Sequence, residues 1–285
     1  MEIEHLLIPT DFSDTARNAT EYALGFFREA PCTVHFLNTY TPDFVHSRVM
    51  AVAQNSPFEE DQMERFSRDG LEHLVDELNQ DDAAARFTFT TTASFNLLTE
   101  EIRQQVELRN IDLIVSGTSG ASGLREVFLG SNTVRMLRAA SDTPVLAVPR
   151  EAEFRIPRKI GFVTDFNRPY SVRQLELLFY FAERFGSELE VMHIGKPEYQ
   201  SDLQDFHRDR LFQELDTLQP TLCWMAPEAA KSQVIENYIT DSGVDLLVMV
   251  RNEHSPLEEL LREPVVKRVA FHTRVPLLVL PPACI

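Results

Sequence analysis

Ile111-Asp112-Leu113-Ile114-Val115-Ser116-Gly117-Thr118-Ser119-Gly120-Ala121-Ser122-Gly123-Leu124-Arg125-Glu126-Val127-Phe128-Leu129-Gly130-Ser131-Asn132-Thr133 decides how the rest of the chain is read. It opens on an apolar, β-branched run that predicts a strand, and the stretch from Gly117 onward holds four of the chain's ten glycines. Val134 to Ala140 then reads as a short helix. A strand, a glycine loop and a helix in that order present free backbone N–H groups and a helix N-terminus beyond the carboxyl edge of a parallel sheet. Anions such as phosphate are favoured there.

The flanking sequence supplies the remaining strands and helices of such a sheet. His5 to Pro9 is a short apolar strand closed by Thr10-Asp11-Phe12-Ser13, a turn and helix-cap signature. Ala16, Ala19, Ala23, Phe26 and Phe27 recur at helical spacing after it. Thr33 to Asn38 is a second strand, and Thr39 to Pro57 reads as a long loop. A helix over Glu59–Leu78 turns Met63, Phe66, Leu71, Leu74, Val75 and Leu78 inward. Arg86 to Thr91 alternates and predicts a third strand near an edge. Leu97, Leu98, Ile102 and Val106 mark a third helix, and Pro144 to Pro149 a fifth strand after the glycine loop and its helix. Five strands alternating with four helices imply right-handed crossovers and a parallel sheet covered on both faces.

The order restarts after the linker Arg150 to Pro157. Lys159 to Asn167 repeats His5 to Ser13, with Thr-Asp-Phe identical in both copies. A helix follows with Val172, Leu175, Phe179, Ala182 and Phe185 on its inner face, then a strand at Glu188–His193, a helix over about 201–218 and a strand at Leu222–Ala226. A helix around Val234–Tyr238 and strands at Asp245–Val250 and Pro276–Pro281 complete an internal duplication. The copies part at the loop. In an ungapped overlay Gly117, Gly120, Gly130 and Ser131 become Val250, Glu253, Glu263 and Pro264. Close backbone approach is lost, proline removes a donor, and two carboxylates would face an anionic ligand.

Composition bounds the function. A chain of 285 residues suits two domains of about 140 residues each. The formal charge of -17 disfavours nucleic acid or an anionic membrane as the main partner. Cys32, Cys223 and Cys284 are too scattered for a disulfide framework or a zinc site, and no other metal-ligand set is read from the residues. His35 and His193 lie in strands, where core histidines are expected. No apolar run reaches the ~20 residues of a membrane span. The acidic N-terminus leads directly into a strand, and the expectation is a cytoplasmic protein. A Walker-type loop and a dinucleotide G-x-G-x-x-G are both missing.

The spacing Gly117-x2-Gly120-x9-Gly130-Ser131, between the fourth strand and fourth helix of a unit opening with Pro9-Thr10-Asp11-Phe12-Ser13, resembles the ATP-binding universal stress proteins over nearly the whole chain. The resemblance implies an α/β protein of two tandem doubly wound domains, residues 1–150 with the ATP motif and residues 151–285 degenerate. Each would hold a five-stranded parallel sheet of order 3-2-1-4-5 with helices on both faces. Pro9, Thr10 and Asp11 would border the adenosine, and Asn38 would meet the adenine through its backbone. Gly117 and Gly120 would let the main chain close on ribose and phosphates, while Gly130, Ser131, Asn132 and Thr133 would hold the outer phosphates.

Asp11 would help hold a divalent ion such as Mg2+ beside ATP, or else brace its turn as Asp165 does in the second copy. Family dimers pair through their fifth strands, so Val145–Val148 and Leu277–Leu280 would make a pseudo-dimer within the chain, with a homodimer as a further state. The function implied is a nucleotide-dependent switch in a stress response, read by a client protein. The alternatives are a slow ATPase or self-phosphorylating enzyme, and a scaffold without nucleotide.

Overall fold

The computed structural model describes residues 2–40, 57–118, 131–140, 142–251, 257 and 274–282. The first half runs β1 (His5–Pro9), α1 (Asp14–Phe27), β2 (Thr33–Thr39), α2 (Pro57–Asn79), β3 (Thr88–Ser94), α3 (Leu98–Arg109), β4 (Leu113–Gly117), α4 (Ser131–Ala139) and β5 (Val145–Val148). The second runs β6 (Lys159–Val163), α5 (Val172–Phe185), β7 (Glu188–Ile194), α6 (Asp202–Glu214), β8 (Thr221–Met225), α7 (Lys231–Ser242), β9 (Leu246–Val250) and β10 (Leu277–Leu280).

Among the described residues the ten strands form one sheet, β3-β2-β1-β4-β5-β10-β9-β6-β7-β8. Each half has the order 3-2-1-4-5 expected of a doubly wound α/β unit, and all pairings within a half are parallel. The junction alone is antiparallel, with Leu277 opposite Ala147, Leu278 opposite Leu146 and Val279 opposite Val145.

Side-chain alternation explains that register. Leu146, Val148, Leu278 and Leu280 enter the core on one face of the sheet, and Val145, Ala147, Leu277 and Val279 the core on the other. Opposed residues therefore share a face, and a slip by one residue would send every side chain to the wrong core. All four residues of β5 and of β10 are buried. Either strand left as an edge would expose an apolar run with unpaired backbone groups, which proteins avoid.

The halves are also joined by aromatic rings. Phe26 of α1 packs edge-to-face on Phe181 of α5 at 4.9 Å and on Phe185 at 5.4 Å. Phe154, from the stretch read as a plain linker, meets Tyr22 at 5.4 Å and Phe26 at 5.7 Å. Gly25 makes room for it, because a Cβ there would run into the Phe154 ring. Ala152 and Phe154 of the linker thus pack into the core, while Glu151, Glu153, Arg155 and Ile156 stay exposed.

Several boundaries and faces differ from the sequence reading. β3 begins at Thr88 and extends to Ser94, following full pairing with β2 from Thr33–Thr88 to Thr39–Ser94. It is an edge strand, as its polar face suggested. The helix expected over 201–218 ends at Glu214, and a 3-10 turn covers Asp216–Leu218. Phe66 is 71% exposed and Val172 51% exposed, so neither faces inward as the periodicity implied. Phe66 instead flanks Phe12 edge-on at 6.0 Å, and α5 buries Leu175, Leu178, Phe181 and Ala182. The loop assigned to 39–57 lies almost wholly outside the described residues.

Candidate functional site

In a 3-2-1-4-5 sheet the crossovers leave the adjacent strands β1 and β4 in opposite directions, toward β2 and β5, which opens a crevice at the carboxyl ends of β1 and β4. The described candidate residues gather there. Pro9 is buried at the end of β1, and the Thr10 N–H continues the ladder to Leu37 O at 2.8 Å. Phe12 has φ +60°, an uncommon left-handed conformation for a ring-bearing residue. Two side chains stabilise it. Thr10 Oγ1 accepts from the Phe12 N–H at 3.0 Å, and Asp11 Oδ1 accepts from the Ser13 N–H at 3.1 Å and from Ser13 Oγ at 2.5 Å. Ser13 then caps α1, accepting from the Ala16 N–H at 3.3 Å.

Asn38, at the end of β2, turns its side-chain amide to Thr10 O at 2.7 Å. Gly117 closes β4. A Cβ on it would lie 2.6 Å from Thr15 Cγ2 and 2.9 Å from Thr15 O, so glycine here admits the first turn of α1. Thr133 is buried in the first turn of α4, where its hydroxyl donates to Gly117 O at 3.0 Å. Ser131 and Asn132 open the same helix. Gly120 and Gly130, with Gly123, Arg125 and Glu126, lie outside the described residues. The structure therefore brings Pro9, Thr10, Asp11, Asn38, Gly117 and Thr133 to one edge of the sheet.

The second half repeats the turn and packs rings beside it. Phe166 has φ +56°, its N–H donates to Thr164 Oγ1 at 3.1 Å, and the Asn167 N–H donates to Asp165 Oδ1 at 3.0 Å. The shared Thr-Asp-Phe is thus a backbone device common to both halves. Beyond it the halves diverge. His193 stands where Asn38 stands, its Nδ1 donating to Thr164 O at 3.0 Å. Phe166 stacks on His193 at 4.8 Å, and Trp224 meets the imidazole edge-on at 5.1 Å. Burial keeps the His193 imidazole below its usual pKa. Sheet register pairs His193 with Trp224 in the second half but Asn38 with Ala93 in the first. A half-buried amide and a methyl group stand where an imidazole and an indole stand in the other copy, while Phe12 matches Phe166.

Four contributors were missed from sequence. Thr15 and Ala93 act by size, which a single chain does not advertise. Phe12 needs a backbone angle, although its repetition at Phe166 was a usable signal. Thr118 is buried after β4, and its hydroxyl has no hydrogen-bond partner among the described residues. The histidines are core residues as expected, His35 at 5% and His193 at 6% exposed. Burial pushes the Cys32 thiol up to about 12, so it offers no reactive thiolate. Among the described residues no acidic, histidine and cysteine cluster suits a metal ion, and no helix is long and apolar enough to cross a membrane.

Comparison with known proteins agrees with this architecture. Residues 2–149 match the model of the universal stress protein family. None of the curated proteins compared with the chain matches it. A universal stress protein from Archaeoglobus fulgidus superposes with a TM-score of 0.68 at 17% identity, over 97% of this chain and 98% of its own. A putative universal stress protein from Pseudomonas aeruginosa gives 0.59 at 14% identity, over 98% and 94%. At those identities the likeness speaks for the fold, while the family match spans more than half of the sequence. The chain belongs to the universal stress protein family.

Proposed function

We propose that this protein is a nucleotide-dependent switch of the stress response, binding ATP with Mg2+ at the carboxyl edge of the first half and signalling to a client protein. Residues 1–150 carry the site, and residues 151–285 form a degenerate copy that binds no nucleotide. One observation carries the asymmetry: Asn38 and Ala93 stand where His193 and Trp224 pack ring on ring in the second half.

The residues present fit a nucleotide. Thr118 Oγ1 is a buried hydroxyl without a partner among the described residues, a feature that a polar ligand would relieve. Ser131 to Thr133 form the first turn of α4, where helix N–H groups and the macrodipole favour phosphate. Thr10 and Asn38 hold the adenosine side rigid through their mutual hydrogen bond. ATP held at Ser131 to Thr133 would change the charge and surface that a client protein reads at this edge, which is the switch.

Mass spectrometry of nucleotide that co-purifies with the protein, followed by calorimetry with ATP and AMP, tests the reading. The expected stoichiometry is one nucleotide per chain. Failure of both nucleotides to bind at millimolar concentration would sink it, and two bound per chain would sink the asymmetry.

A further inference from the structure

Arg251 follows β9 in the place that Thr118 holds after β4. The Thr118 N–H donates to Val148 O at 3.0 Å, and the Arg251 N–H to Leu280 O at 3.0 Å. The guanidinium does not stay over its own half. Nη1 donates to the carbonyl of Leu137, in the last turn of α4 in the first half.

That carbonyl is one of the last four of its helix, which find no partner within the helix itself. The Ala140 N–H takes Met136 O at 2.8 Å, and Arg251 takes Leu137 O. A cation at this end also opposes the negative pole of the helix. Burial works against the guanidinium charge and the Asp142 carboxylate favours it.

We propose that Arg251 is a positioning residue of the first half's nucleotide site, bracing the C-terminal end of α4 so that Ser131 to Thr133 at the other end stand ready for phosphate. This rests on the nucleotide reading above. α4 has nine residues, fewer than the roughly 12–15 at which an isolated helix sustains itself in water. It depends on attachments, of which two are Thr133 to Gly117 O and Arg251 to Leu137 O. With the brace removed, binding must also order the helix, and apparent affinity falls by the fraction of chains already ordered. By linkage, bound nucleotide must strengthen the grip of Arg251. The second half, lacking a glycine loop of its own, thereby regulates the first.

Hydrogen-exchange mass spectrometry and ATP calorimetry on the full chain test this with Arg251→Lys and Arg251→Met, the latter keeping an apolar stem so that the fold survives. In Arg251→Met the amides of residues 131–140 should exchange faster while β5 and β10 keep their protection. ATP should bind about tenfold more weakly, with Arg251→Lys recovering part of the loss. Unchanged exchange in α4 overturns the brace. Equal ATP affinity in Arg251→Met and the native protein, with ATP bound to both, overturns the positioning role alone. A native protein that binds no ATP brings down the nucleotide reading and the positioning role together, and faster exchange in Arg251→Met would then still show the brace.

Discussion

Gly117 and Thr15 are in contact across the site: a Cβ on the glycine would lie 2.6 Å from Thr15 Cγ2 and 2.9 Å from Thr15 O. The end of β4 and the first turn of α1 are therefore locked together at the edge where the nucleotide is proposed to bind. Gly117→Ala should destabilise the protein by about 1–3 kcal/mol, the usual cost of overpacking a tight contact. Thr15→Ala should restore only part of the loss, because the backbone carbonyl remains. Urea unfolding of the two single variants and the double variant measures this, and a Gly117→Ala protein as stable as the native one would contradict the contact. A larger residue such as valine at 117 is consequently a poor test of binding, since it disturbs the fold first.

Phe181 is fully buried and touches rings from both halves, including Phe26 at 4.9 Å and Phe27 at 6.1 Å. Phe181→Ala should cost about 3–5 kcal/mol, the transfer term plus the cavity. Chemical denaturation should also show whether the halves still unfold together. A loss below about 1 kcal/mol would mean that the β5–β10 ladder, not the aromatic cluster, joins the halves.

The pH dependence of stability should carry a signature of His35. Arg109 Nη1 donates to its Nδ1 at 3.2 Å and Thr90 Oγ1 lies 2.6 Å from the same nitrogen, which leaves Nε2 to face His5 Nδ1 at 3.1 Å. Burial first, then the charges of Arg109 and His5, lower its pKa from 6.5 to about 4. A group whose folded pKa is depressed binds its proton more readily in the unfolded chain. Its contribution is fully present above pH 6.5 and is lost as pH falls toward about 4. Melting temperatures recorded across that window should fall for the native protein and flatten for His35→Gln. Parallel curves would exclude His35 as the source.

Trp224 is the chain's single tryptophan and sits on His193 in the second half. Its fluorescence should stay unchanged as ATP saturates the protein. Quenching or a spectral shift that tracks a second binding event would place nucleotide beside His193 and contradict the proposed asymmetry. Trp224 is half-buried on an edge strand, so Trp224→Ala should destabilise the second half by less than the about 3–5 kcal/mol of a fully buried ring, without opening an ATP site, because Val250 still stands where Gly117 does.

Much of this was legible from residue order. Continuous apolar runs such as Leu6-Leu7-Ile8 and Leu246-Leu247-Val248, each buried on both faces of the sheet, mark central parallel strands, and the repeated Thr-Asp-Phe marks the duplication. The Asp11 and Asp165 turns were readable because an aspartate that bonds the amide two residues on is a local event. Helical faces were less secure. Phe66 and Val172 satisfied the apolar period yet are exposed, since periodicity says which side chains align and not which side finds a neighbour.

The sequence by itself determined the class of fold, the two copies and the loss of the loop glycines at 250, 253 and 263 from the second, because these follow from hydrophobic period and backbone permissiveness within short windows. Only the tertiary structure decided what those copies do to each other. Residues far apart in the chain had to meet before Ala93 could stand beside Asn38, Trp224 could pack on His193, Phe154 could join the core, and Arg251 could reach Leu137. The glycine spacing leads to an expectation of phosphate in one half, but the residues beside the Thr-Asp-Phe turn and a contact between the halves distinguish that edge from its copy, and neither is written in the spacing of one segment.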